Sequence, residues 1–280
     1  MIDSEAKLSN QMKDSKNRRG LIVTLVLSLV ANVVLLAGIG LMESKTHFFQ
    51  KTGNRLGLCE LSPKKRGDYW CVRGWTNTLK KLEYDADVVF IGSSQTFGGS
   101  FQEYFPNVKT CNLGYPGDDM NGVMFRAEQV KTVHPEKVFV LTGINGLHRK
   151  SEKVFEVQYQ RMVDSLINVV PQAEIYLQSI LPVNHSMCNG RASSEKIKQS
   201  NETIAKIASR SGCVYVDLWS LYEKDGEMPK ELTRDGVHLF PEAYDRWADE
   251  IKRYIKLVLI QLPLNRQRRS RSNRKHWKEI

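Results

Sequence analysis

Ser94 stands in the segment FIGSSQT, and Asp235 and His238 share the segment DGVHL. These three residue types are what nucleophilic ester chemistry requires. A serine hydroxyl is a poor nucleophile until a base takes its proton. A histidine can be that base, and a carboxylate can fix its tautomer and steady the imidazolium it becomes. Of the six histidines, only His238 has a carboxylate three residues earlier. Two more polar clusters lie between the serine and this pair: Asn112, Gly114 and Gly117, then Gly143, Asn145 and Gly146. Glycine turns and a side-chain amide are groups that can supply N–H donors to a developing oxyanion.

Residues so far apart in sequence need a scaffold to bring them together. The segments DVVFIG (87–92), VKTCNLG (108–114), KVFVLTG (137–143), EIYLQSIL (174–181) and CVYVDLW (213–219) read as strands covered on both faces. Helical periodicity fills the gaps. Residues 152–169 place Phe155, Tyr159, Met162, Val163 and Leu166 on one face, behind Ser151 as an N-cap. Residues 194–210 do the same with Ile197, Ile204, Ile207 and Ala208, and Pro241 opens a last helix through Tyr254. Strands alternating with helices predict a three-layer α/β/α domain. Its five-stranded sheet should be mostly parallel and flavodoxin-like. Ligands in such folds sit at the carboxyl ends of the strands, which is where the polar clusters fall.

The net charge of +10 belongs to the chain ends. Residues 266–280 hold seven cations against Glu279, and the first nineteen residues hold five cations against three anions. The middle of the chain therefore gives no sign of a nucleic-acid binder. Residues 21–42 contain no charge, and as a helix they would be about 33 Å long, enough to cross a bilayer. Lys13, Lys16, Arg18 and Arg19 precede them, so the N-terminus is expected in the cytoplasm and the bulk of the chain outside. A cleaved signal peptide with a secreted product is the alternative. The expected organisation is a cytoplasmic segment at 1–20, a transmembrane anchor at 21–42 and a stalk at 43–84. A catalytic domain follows at 85–260, then a basic disordered tail at 261–280. That tail could meet anionic lipid or acidic polysaccharide. Outside the cytoplasm Cys59 and Cys71 could pair, whereas Cys111 and Cys213 sit in apolar runs as core residues.

The motifs together resemble the SGNH, or GDSL-type, hydrolase superfamily. FIGSSQT resembles the first family block, FIGDSxT, with Ser94 in the serine position. NLGYPGD resembles the second, N-x-G-x-x-G, with Gly117 as its oxyanion glycine, and TGING resembles the third, G-x-N-D, with Asn145 as its asparagine. DGVHL resembles the fifth, D-x-x-H, giving Asp235 and His238. QSILPVN followed by DLWSLY is similar to the subgroup of platelet-activating-factor acetylhydrolases and bacterial carbohydrate acetylesterases. Two positions depart from the pattern: Ser93 and Gly146 each stand where the family carries Asp.

The resemblance implies an acyl-enzyme on Ser94, and an oxyanion held by the N–H groups of Ser94 and Gly117 and the amide of Asn145. It implies no metal and no cofactor. The expected substrate is a small acyl ester, an O-acetyl group on an extracytoplasmic carbohydrate. The same site would serve an acyltransferase whose acceptor is a sugar hydroxyl. The departures at Ser93 and Gly146 leave open a catalytically silent envelope binding protein. Four further residues carry plainer expectations. Asp118 and Asp119 read as a solvated loop pair, Trp75 as packing of the stalk on the domain, and His148 as peripheral to the site.

Overall fold

The computed structural model describes residue 18, residues 21–39 and residues 69–255. The chain divides into two compact units, Met1–Cys59 and Glu60–Ile280. In the first, helix α1 (Leu21–Ile39) is 19 residues long and apolar enough to cross a membrane. Residues 1–17, residues 40–42 of the expected span, most of the 43–84 stalk, Cys59 of the suggested disulfide and the 261–280 tail lie outside the described residues.

The described part of the second unit opens with α2 (Tyr69–Lys81), and β1 (Val88–Gly92) follows. Next come the single turns α3 (Ser94–Phe97) and α4 (Phe101–Tyr104), then β2 (Thr110–Gly114). Two short helices, α5 (Met120–Phe125) and α6 (Ala127–Lys131), lead to β3 (Lys137–Leu141). The long helices α7 (Glu152–Val169) and α8 (Ser194–Arg210) flank β4 (Glu174–Gln178). Strand β5 (Val214–Val216) and the turn α9 (Trp219–Tyr222) precede a final helix α10, residues 244–255.

The sheet order is β2-β1-β3-β4-β5, and every pair is parallel. This is the flavodoxin-like winding, with its switch point between β1 and β3. The cause lies in the strand sequences. All five residues of β1 and of β3 are buried, as befits strands covered on both faces. Alternate side chains serve opposite faces. Val89, Ile91, Val138 and Val140 join one core with Phe155, Tyr159, Met162 and Ile204 of α7 and α8. Val88, Phe90 and Phe139 join the other with Phe101, Tyr244 and Trp247. There Phe90 stacks on Phe101 at 3.7 Å and on Phe139 at 5.3 Å between ring centroids.

Helices α7 and α8 occupy the spans expected from periodicity. Ser151 caps α7 by accepting from the Val154 N–H, and Ser193 caps α8 by accepting from the Lys196 N–H. Strand β4 ends earlier than the apolar run EIYLQSIL suggests. Ile180 has its N–H and C=O bonded to the side-chain amide of Asn201 at 2.8 and 3.0 Å, so a helix side chain replaces the ladder there. Strand β5 is also shorter than its apolar run, because Trp219 already starts α9. The last helix opens with a 3₁₀ turn at Pro241–Ala243.

Candidate active site

Register brings the carboxyl ends of three strands level. Gly92 of β1 pairs with Gly114 of β2 and Leu141 of β3, so the following loops leave the same edge. Ser94 is the first residue of α3, two residues beyond the end of β1. The turn must pass close to β2, and Gly114 makes room. A Cβ there would lie 2.2 Å from the Phe97 nitrogen. Asn112 fastens the same turn, its amide donating at 2.8 Å to both the Thr96 and Gly99 carbonyls.

His238 reaches this turn from the other end of the domain. Its Nε2 lies 2.8 Å from Ser94 Oγ, and its Nδ1 lies 2.6 Å from Asp235 Oδ2. With Nδ1–H donating to the carboxylate, Nε2 is left to accept the serine proton. The other oxygen of Asp235, Oδ1, accepts the backbone N–H groups of Val237 at 3.0 Å and His238 at 2.8 Å. Burial works against ionisation of Asp235. The His238 backbone, the His238 ring and the Val237 N–H outweigh it, and the pKa falls to about 2. The carboxylate therefore stays charged across the pH range of ordinary enzymes. Buried Gln95, next to Ser94, donates to the Val237 carbonyl at 2.8 Å, and the Tyr244 hydroxyl donates to the Gln95 carbonyl at 2.7 Å. These two bonds tie the serine turn to the histidine loop and to helix α10 that follows it.

The expected oxyanion residues lie on the loops after β2 and β3. Gly117 is exposed. The Asn145 amide donates to the carbonyl of the next residue, Asp118, at 2.8 Å, so the two loops are bonded to each other. One amide hydrogen of Asn145 is used in this way, and an amide carries two. Gly146 adopts φ +73°, a left-handed conformation that a side chain disfavours, so the departure from Asp suits the local backbone. Ser93 is fully buried, and a carboxylate in its place would need a charged or donating partner.

The structure corrects the expectation for the two loop aspartates. Asp118 is fully buried, and Arg126, also buried, is the reason. Arg126 donates Nε to Asp118 Oδ2 at 2.8 Å, Nη1 to the Leu113 carbonyl at 2.8 Å and Nη2 to the Gly92 carbonyl at 3.3 Å. One guanidinium thus joins the ends of β1 and β2 to the loop that carries Gly117. Asp119 caps α5 and pairs with Lys150 at 3.2 Å. An arginine within the apolar segment GVMFRAEQV was the sequence signal for this hub, since a cation on a buried helix face requires a partner. Removing it with Arg126→Ala strands the Asp118 charge and should cost about 3–5 kcal/mol. Thermal denaturation measures this, and an unchanged melting temperature would contradict the hub.

Trp75 does not pack away as expected. Its side chain is 65% exposed, at the rim of a cavity of about 540 Å³ that Leu79, Phe97, Leu113 and Tyr115 also line. His148 is exposed, on the short turn that follows Asn145.

No curated protein sequence matches significantly. Several solved structures share the fold. A Streptococcus pneumonia protein assigned provisionally as a platelet activating factor aligns at 23% identity, covering 66% of this chain and 97% of its own, with a TM-score of 0.56. A GDSL-like lipase from Bacteroides thetaiotaomicron aligns at 20% identity over 68% and 98%, with a TM-score of 0.55. An acetyl xylan esterase aligns at 21% identity over 60% and 98%, with a TM-score of 0.52. A family model of the sequence matches residues 74–246, more than half of the chain, and spans Ser94, Asp235 and His238 together. The chain belongs to the GDSL-like lipase/acylhydrolase family.

Proposed function

We propose that this protein is a serine esterase that forms an acyl-enzyme on Ser94 and releases a small acyl group, an O-acetyl group on an extracytoplasmic carbohydrate. One observation carries the chemical part: the unbroken relay from Ser94 Oγ through His238 to Asp235. Ser94 Oγ attacks the ester carbonyl carbon as His238 Nε2 takes its proton. Asp235 holds the resulting imidazolium. The carbonyl oxygen becomes an oxyanion that receives the N–H groups of Ser94 and Gly117 and the second amide hydrogen of Asn145. Collapse breaks the bond to the alcohol oxygen, which takes the proton back from His238. Water then repeats the sequence, and the acid and the free serine are released.

A screen of the purified protein against p-nitrophenyl acetate, p-nitrophenyl butyrate and acetylated sugars tests this reading. It expects release of acetate that depends on Ser94. Turnover of none of them would contradict it. Asn145→Ala should lower kcat by about a hundredfold or more with KM little changed, because the amide is needed chiefly in the transition state. A change confined to KM would assign Asn145 to substrate binding instead.

The extracytoplasmic location rests on helix α1 and the cations that precede it in sequence. The full-length protein should then stay with membranes through carbonate extraction. A mature N-terminus near residue 40 in a soluble fraction would show cleavage in its place.

A further inference from the structure

Among the described residues Arg191, at the candidate site, has no carboxylate partner, and the mechanism does not use its charge. It lies in the loop between β4 and α8. The start of that loop is fixed to the histidine loop: the Asn184 N–H donates to the Gly236 carbonyl at 2.8 Å, and Cys188 Sγ lies 3.8 Å from the same oxygen. Farther along the loop, Arg191 Nη1 meets Asn145 Oδ1 at 3.5 Å. The half-buried guanidinium therefore touches the oxyanion loop, on a segment whose start is bonded to the base loop. Asp235, the carboxylate of the base loop, is already taken by His238, by two backbone N–H groups and, at 3.8 Å, by Arg234.

Two more cations lie close by. Arg149 donates to His148 Nε2 at 2.9 Å, and Lys196 donates to the Lys150 carbonyl at 2.6 Å. Among the described residues none of Arg149, Arg191 and Lys196 forms an ion pair, whereas Lys150 does so with Asp119. Their fields converge on one place: burial, and then Arg149, Arg191 and Lys196, push the pKa of His148 down. Three unpaired cations beside a reaction centre raise the local concentration of anions and favour an anionic ligand.

We propose that Arg191 receives a carboxylate carried by the alcohol part of the ester, so that the substrate is an acidic, acylated carbohydrate. This rests on the esterase reading of Ser94. A short acyl group such as acetyl has no charge of its own, so the anion must belong to the sugar. The planar guanidinium fork matches a carboxylate in two parallel hydrogen bonds. Arg149 and Lys196 act at longer range, by charge alone.

The test compares two esters that differ only at C6 of the sugar: a mono-O-acetylated methyl galacturonoside and the matching methyl galactoside. For the full-length protein in detergent, kcat/KM should favour the acidic ester about tenfold or more at low salt, as expected for a charge-assisted hydrogen bond. The preference should shrink as salt is raised. Arg191→Ala should bring the acidic-to-neutral ratio close to one, and Arg191→Lys should keep part of it. The ratio is internal to each variant, so it is insensitive to a general loss of activity. If the alanine variant does not fold, Arg191→Gln carries the same test. A wild-type enzyme that treats both esters alike, or a ratio that survives loss of Arg191, overturns the proposal. Two inert sugars together with uptake of a fluorophosphonate by Ser94 would overturn it and leave the serine chemistry standing. Absence of that uptake would remove the esterase reading itself.

Discussion

Ser94→Ala is expected to lower ester hydrolysis by about 10⁶-fold while the domain stays folded. The size follows from what is lost. The mechanism has no second nucleophile, and a triad lacking its serine keeps only the catalysis supplied by oxyanion donors and binding. The fold should not notice the change. Ser94 is half-buried, its side chain bonds to His238 alone among the described residues, and the N-cap of its short helix is Ser93. Activity on p-nitrophenyl acetate and a circular dichroism melt, measured on one preparation, check both halves. A variant that kept more than a few per cent of activity would show that another group attacks the ester.

His238→Ala should fall almost as far, because the serine then has no base to take its proton. Asp235→Asn should cost less, about 10⁴-fold. The asparagine oxygen can still accept the Val237 and His238 N–H groups that Oδ1 accepts now. What it cannot do is accept from His238 Nδ1, since an NH₂ group faces the ring. The imidazole would then carry its proton on Nε2 and present a donor to Ser94, the wrong tautomer for a base. The ordering is therefore the informative result. An asparagine variant as inactive as the alanine at 238 would mean that Asp235 also holds the loop in place, and a protein-stability measurement would show it.

Much of this was legible in the sequence, for identifiable reasons. The continuous apolar runs of β1 and β3 could be read because each strand is buried on both faces. The spans of α7 and α8 could be read because serine caps stand at their starts and the apolar faces keep a helical period. That Ser94, Asp235 and His238 would meet could be expected because each follows a strand end or precedes a helix start at the carboxyl edge of the sheet. The ends of β4 and β5 were not readable, because they are set by tertiary bonds such as those of Asn201 to Ile180. Asp118 was misjudged for the same kind of reason. Two adjacent aspartates look solvated until an arginine eight residues away is seen to close over one of them. Arg191 gave no local signal at all, since its position depends on a loop held by Gly236 and on contact with Asn145.

Gln95 shows the same division. Its place after β1 marked it as part of the loop, but its bond to the Val237 carbonyl spans 142 residues of sequence. Contacts of that kind decide whether nucleophile and base meet.

The most direct measurement is reaction of the purified protein with a fluorophosphonate, followed by peptide mass spectrometry. The reagent reports an activated serine without any assumption about the substrate. The account predicts one adduct per chain, located on Ser94, formed slowly or not at all in His238→Ala. No adduct in the folded wild-type protein, or an adduct on a serine other than Ser94, would contradict it.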